Sequence, residues 1–146
     1  MKSANGTTVG FTVTEPGTQL LVYDDGVQFC KAFVVAGHPA EGGQLHLSEV
    51  GQRLEIVPQT DPVALLEGAD VLEVQVLFER EPLAFAMVEA IPIEATERTA
   101  VRARTDEIGL ANLALTRVGP WLVRVSTGKG YDAVASTLFI TRKDGR

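Results

Sequence analysis

One cysteine, Cys30, and two histidines, His38 and His46, are all the thiol and imidazole chemistry in 146 residues. A lone cysteine rules out an intrachain disulfide, and the histidines are too few and too far from it for a compact zinc spacing. Basic residues are also scarce: thirteen Lys and Arg face nineteen Asp and Glu, a formal net charge of −6. That balance repels phosphate backbones and anionic lipid surfaces, and no run of basic residues reverses it locally, so nucleic acid is not an expected partner. No apolar stretch approaches the roughly 20 residues of a membrane-spanning helix. The opening Met1-Lys-Ser-Ala-Asn-Gly-Thr-Thr8 has no apolar run after its lysine, so no secretory signal is read there; a cytoplasmic protein and a trimmed chain both stay open.

What the chain does have is alternation. Hydrophobic residues make up 45% of it, enough for a core and against disorder. Val9, Phe11 and Val13 alternate with Thr8, Gly10 and Thr12, which predicts a half-buried strand over 7–14. Residues 19–23 and 27–35 flank Asp24-Asp25-Gly26, a hairpin signal because Gly26 accepts a positive φ. The Gly/Pro-rich stretch 36–43 reads as a loop, followed by short strands over 44–47 and 52–57. Leu72, Val74, Val76 and Phe78 share one face of a strand with Glu73 and Gln75 on the other. Strands are predicted over 83–90, 99–104, 110–115, 121–126 and 133–141, with a loop over 127–132 and a tail from Arg142. Only Asp61-Pro62, a cap followed by proline at the first turn, argues for helix. The expected fold is an all-β antiparallel sandwich of Greek-key, transthyretin- or immunoglobulin-like type with about ten short strands. Residues 1–58 and 69–146 are read as two lobes around a connector, or as one packed domain.

From Gly51 onward the words Gly51-Gln-Arg-Leu-Glu-Ile-Val-Pro58, Asp61-Pro62, Val76-Leu-Phe78, Pro82-Leu83, Thr105-Asp106 with Gly109, Gly119-Pro-Trp-Leu-Val-Arg-Val125 and Ala135-Ser-Thr-Leu-Phe139 recur in order. In these the chain resembles a bacterial family of unassigned function, the NikM-like group, described as periplasmic accessory proteins of nickel and cobalt uptake. The carboxy-terminal portion also resembles transthyretin-like and carboxypeptidase-regulatory sandwiches. The resemblance implies an envelope or periplasmic location, a nickel or cobalt ion as ligand, and a metal-uptake transporter or another envelope protein as partner. The chain departs from the family pattern at Arg80, where glycine is usual, at Phe85, where a small residue is, and at Ile108, where an acidic one is. It also lacks the histidine with which mature members often begin.

His38, His46, Cys30 and Glu41, with Glu49 nearby, are the residue types a borderline metal would choose. The plainer reading is the stronger: a solvated loop histidine, a histidine on the wet face of a strand, and a thiol behaving as a small hydrophobe. Asp24 and Asp25 are better explained as turn residues than as paired acid and base. Asp106 lacks the spacing of a calcium loop. Ser126 to Lys129 lacks the Gly-Lys-Ser/Thr order of a phosphate loop. Trp121 is expected in the core with its indole N–H on a carbonyl. No catalytic residue is identified. A transthyretin-like hydrolase would need histidines beyond His46, and Ser48, Ser126 and Ser136 lack a nucleophile-elbow context. The expected function is a non-catalytic envelope accessory or binding module; the alternatives are an adhesion-type sandwich binding protein or glycan, and a small hydrolase.

Overall fold

The computed structural model describes residues 17–36, 45–94, 99–128 and 133–145. The strand predicted over 7–14 and most of the loops predicted over 36–43 and 127–132 lie outside them. Among the described residues ten strands form two sheets, mostly antiparallel, and the chain is an all-β sandwich. The larger sheet holds β1 (Gly17–Asp24), β2 (Gln28–Ala36), β10 (Val134–Arg142), β9 (Gly119–Thr127), β6 (Met87–Pro92) and β7 (Val101–Arg104), in that spatial order. The smaller holds β3 (Leu54–Pro58), β4 (Val71–Phe78), the two-residue β5 (Glu81–Pro82) and β8 (Leu110–Ala114). The one parallel pairing described is β2 against β10; it places Thr137 opposite Cys30, and the Thr137 hydroxyl donates to the Phe29 carbonyl at 3.4 Å.

The two-residue periodicity builds the core as expected. Leu72, Val74 and Val76 of β4 are fully buried against Val88 and Ala90 of β6 and Trp121 and Val123 of β9. The Trp121 indole N–H donates to the Arg117 carbonyl at 3.0 Å, so the largest core side chain leaves no orphaned donor. Phe78, the fourth of the β4 stripe, sits at the margin under the Arg53 guanidinium, 5.3 Å from its ring centre. The connector contains the anticipated single helical turn, α1 (Pro62–Leu66). Asp61 caps it by accepting from the Val63 amide at 2.9 Å, with Pro62 in the first turn.

Three local expectations are corrected. Residues 45–47 form a 3-10 turn (Leu45–Leu47) rather than a strand, and His46 is buried in it rather than on a wet face. The stretch 83–90 is not one strand: Ala84 and Phe85 turn the chain, with Phe85 at φ +58°, before β6 begins at Met87. Arg80 has φ +70° in the neighbouring turn, so glycine would suit that backbone and a side chain there is held against its preference. The carboxy-terminal residues are not a loose tail. The Lys143 amide donates to the Leu65 carbonyl at 3.0 Å, and the Arg142 guanidinium donates to the Ala69 carbonyl at 3.3 Å.

Candidate functional site

The outer face of the six-stranded sheet is set by alternation. In β2, β10 and β9 the inward residues are Phe29, Lys31, Ser136, Leu138, Val123 and Val125, so Cys30, Thr137 and Arg124 point outward. Register then aligns them. Tyr23 lies opposite Cys30, Cys30 opposite Thr137, Thr137 opposite Arg124, Arg124 opposite Glu89, and Glu89 opposite Arg102. One polar row thus crosses all six strands. Two residues along, Leu21, Ala32, Phe139, Leu122 and Ile91 form an apolar row across five. Leu21, Phe139 and Met87 are exposed, with Tyr23 at 56%. A groove of about 560 Å³ opens along the polar row, floored by Cys30, Thr137, Leu122 and Ser126 and walled by Tyr23, Met87, Glu89 and Arg124.

Charge on this face is the reverse of the chain as a whole. Glu89 accepts from Arg102 at 3.0 Å and from Arg124 at 3.1 Å. The Arg124 hydrogen bond first, and the charges of both guanidiniums with it, hold the Glu89 carboxyl below the usual carboxylate range. Among the described residues Arg104, on the same face of β7, has one hydrogen-bond partner, the Phe85 carbonyl at 3.4 Å. Two arginines therefore pair with one carboxylate and a third shares their face, on a molecule of net charge −6. No basic run exists in the linear chain, yet pairing β6 with both β7 and β9 assembles a cationic patch.

A second cluster ties the sheets together from inside. Lys31, inward on β2, donates to Glu55 Oε2 of β3 at 2.5 Å, and both side chains are 1% exposed. Glu55 also accepts the amides of Val50 at 2.8 Å, Gly51 at 2.9 Å and Gln52 at 3.1 Å. Burial lowers the Lys31 pKa, with the Glu55 hydrogen bond and charge opposing that shift. The buried Gln52 amide donates to the Tyr23 and Cys30 carbonyls at 3.0 and 3.3 Å, locking the β1–β2 ribbon to the same loop. The Gln52 Oε1 and the Ser136 hydroxyl are buried without a partner among the described residues.

Of the residues proposed for a metal, Cys30 sits half-buried in the groove floor, its thiol 3.8 Å from the Lys31 carbonyl. His46 is buried in its 3-10 turn, and Glu49 is exposed. His38 and Glu41 lie outside the described residues. Among the described residues no three of His, Cys, Asp and Glu are grouped to hold an ion. Asp24 and Asp25 do what turn chemistry predicts. Asp24 accepts the Gly26 amide at 2.8 Å and Asp25 those of Val27 at 2.9 Å and Gln28 at 2.6 Å, and the amides of Gln28 and Val27 lower the Asp25 pKa. Asp106 likewise accepts the amides of Ile108 and Leu110 at 3.0 and 2.9 Å. Thr105 bonds outside its own turn, donating to the Leu83 carbonyl at 2.7 Å and accepting from the Ala86 amide at 2.8 Å. The Arg–Glu–Arg patch and the Lys31–Glu55 latch escaped the sequence reading. Their only signal was a charged residue within each of five strands, which is silent until register is known.

The fold and its exposed face define a β-sandwich module with a recessed, amphipathic sheet surface. The chain belongs to the family described as a domain of unknown function, DUF4198, whose model matches residues 8–129. No curated protein and no solved structure matches it.

Proposed function

We propose that this is a non-catalytic binding module that engages its ligand or partner through the outer face of the six-stranded sheet. The observation that carries this reading is the apolar row Leu21–Ala32–Phe139–Leu122–Ile91 lying beside a groove of about 560 Å³. Solvated sheet faces are ordinarily polar, and a continuous apolar row rimmed by charge marks a recognition surface. The groove's one carboxylate, Glu89, is held ionised by two arginines, which suits it to fixed charge pairing rather than proton transfer near neutrality. The test selects binders from a random peptide library. Bound peptide is expected to slow alkylation of Cys30, and Leu122→Asp is expected to abolish binding with the fold intact by circular dichroism. Binders indifferent to Leu122→Asp and Phe139→Asp, and giving Cys30 no protection, would overturn the reading.

The finer assignment, an accessory of nickel or cobalt uptake in the cell envelope with a transporter or another envelope protein as partner, is carried over from the resemblance of the words between Gly51 and Phe139. Its test is calorimetric titration of the full chain with each ion. Heat that disappears in His38→Ala/His46→Ala supports it, and the absence of heat with either ion removes it.

A further inference from the structure

The geometry points to an acidic, partly apolar segment of a partner protein as the occupant of this face, an inference that rests on the face being the docking surface. Charge decides the sign. Among the described residues Arg102 and Arg124 share a single carboxylate and Arg104 has only a backbone carbonyl at 3.4 Å, so the β6–β7–β9 corner keeps guanidinium donors to spare. Guanidiniums match carboxylates in fork geometry, and those on the rim are free to exchange water for a second carboxylate. Position decides the arrangement. Arg124 lines the groove, Arg102 and Arg104 lie beyond it on β7, and the apolar row runs away from them toward β1, so a ligand would set carboxylates over Arg102, Arg104 and Arg124 and apolar side chains over Leu122 and Phe139. Size decides the kind of partner. The amphipathic part of the face, two rows across five strands about 4.8 Å apart and about 20 Å along them, offers on the order of 400 Å². A stable pairing of two globular chains needs about 800 Å² from each. That part by itself fits a segment rather than a second copy. A second copy would also set arginine corner against arginine corner or against apolar surface.

The test measures the affinity of the full chain for a synthetic peptide alternating Glu or Asp with Leu and Phe, against the same peptide with Gln and Asn. The acidic peptide is expected to bind about ten-fold tighter, as two rim charge contacts would give. That preference should fall as salt rises from about 50 to 500 mM, where screening shortens the range of charge. It should disappear in the triple Arg102→Ser/Arg104→Ser/Arg124→Ser variant. Arg104→Ser alone, which removes only a long contact to a backbone carbonyl, should reduce it part way and serves if the triple variant fails to fold. Equal affinity for the two peptides, with both lost in Leu122→Asp, overturns the acidic partner and leaves the docking face standing. Binding to neither peptide while library binders still protect Cys30 also overturns it. So does acidic-peptide binding indifferent to the arginines, tighter binding to phosphatidylglycerol vesicles than to the peptide, or a solution dimer broken by Leu122→Asp.

Discussion

The Lys31–Glu55 latch should fail asymmetrically, because its two ends carry unequal numbers of bonds. Glu55 accepts from Lys31 and from three backbone amides, whereas the only partner described for Lys31 is Glu55. Removing the carboxylate by Glu55→Leu leaves a lysine of ordinary pKa 10.5 buried with only the weaker charge of Glu49 to favour its ammonium. Deprotonating it at pH 7 costs about 5 kcal/mol at about 1.36 kcal/mol per pH unit, and this bounds the lysine's part of the damage. The freed amides of 50–52 add to that wherever water fails to reach them, at about 1–3 kcal/mol for each one left buried. Removing the ammonium by Lys31→Met leaves a carboxylate still held by three amides and costs about 1.5–3 kcal/mol, the range of one hydrogen bond to a charged group. Urea titrations of both variants at pH 7 measure the difference, and hydrogen exchange reads the amides of Val50, Gly51 and Gln52 directly. Glu55→Leu is expected to cost at least about 2 kcal/mol more and to release those amides, whereas Lys31→Met leaves them protected. Equal losses, or amide protection unchanged in Glu55→Leu, would refute the view that Glu55 organises the loop and Lys31 merely neutralises it.

Gly109 has φ +77°, and a Cβ there would lie 2.7 Å from the Val76 carbonyl oxygen, so Gly109→Ala should destabilise by about 2 kcal/mol or more in urea titration. Phe85 is 60% exposed at φ +58°; Phe85→Gly relieves the left-handed backbone at the cost of unfolded-chain entropy and should raise stability by about 0.5–1 kcal/mol. A thermal midpoint that falls would show that the exposed ring contributes to cohesion. Because the folded pKa of Glu89 lies below its ordinary 4.5, its pairing stabilises the fold fully above pH 4.5 and is lost as pH falls through the folded value. Glu89→Gln should therefore cost no more than about 1 kcal/mol at pH 6. The gap from the parent should close on acidification toward pH 3; a gap that widens there would contradict the assignment.

Local chemistry was readable wherever it depends on neighbours in sequence. Asp24-Asp25-Gly26 made its turn, Asp61-Pro62 started its helix, and Leu72, Val74, Val76 and Trp121 went to the core. Reading failed where a short stretch satisfied two patterns. Leu45-His-Leu47 alternates as a strand does, yet the chain closes a 3-10 turn and buries the histidine. Leu83 to Ala90 is apolar enough for one strand. Thr105 instead takes both the Leu83 carbonyl and the Ala86 amide and holds the bend between them.

Alternation, turn residues and the balance of apolar to charged side chains determine that this chain forms a β-sandwich, since each acts within a few residues of backbone. They cannot determine which strands become neighbours. The parallel seam of β2 on β10 joins Phe29 to Thr137, 108 residues apart. The arginine corner needs β6, β7 and β9 side by side, and the latch needs β2 against β3. Only the tertiary structure decides these, because pairing partner and register depend on how two whole sheets bury their inner faces together, and the character of the outer face follows from that choice.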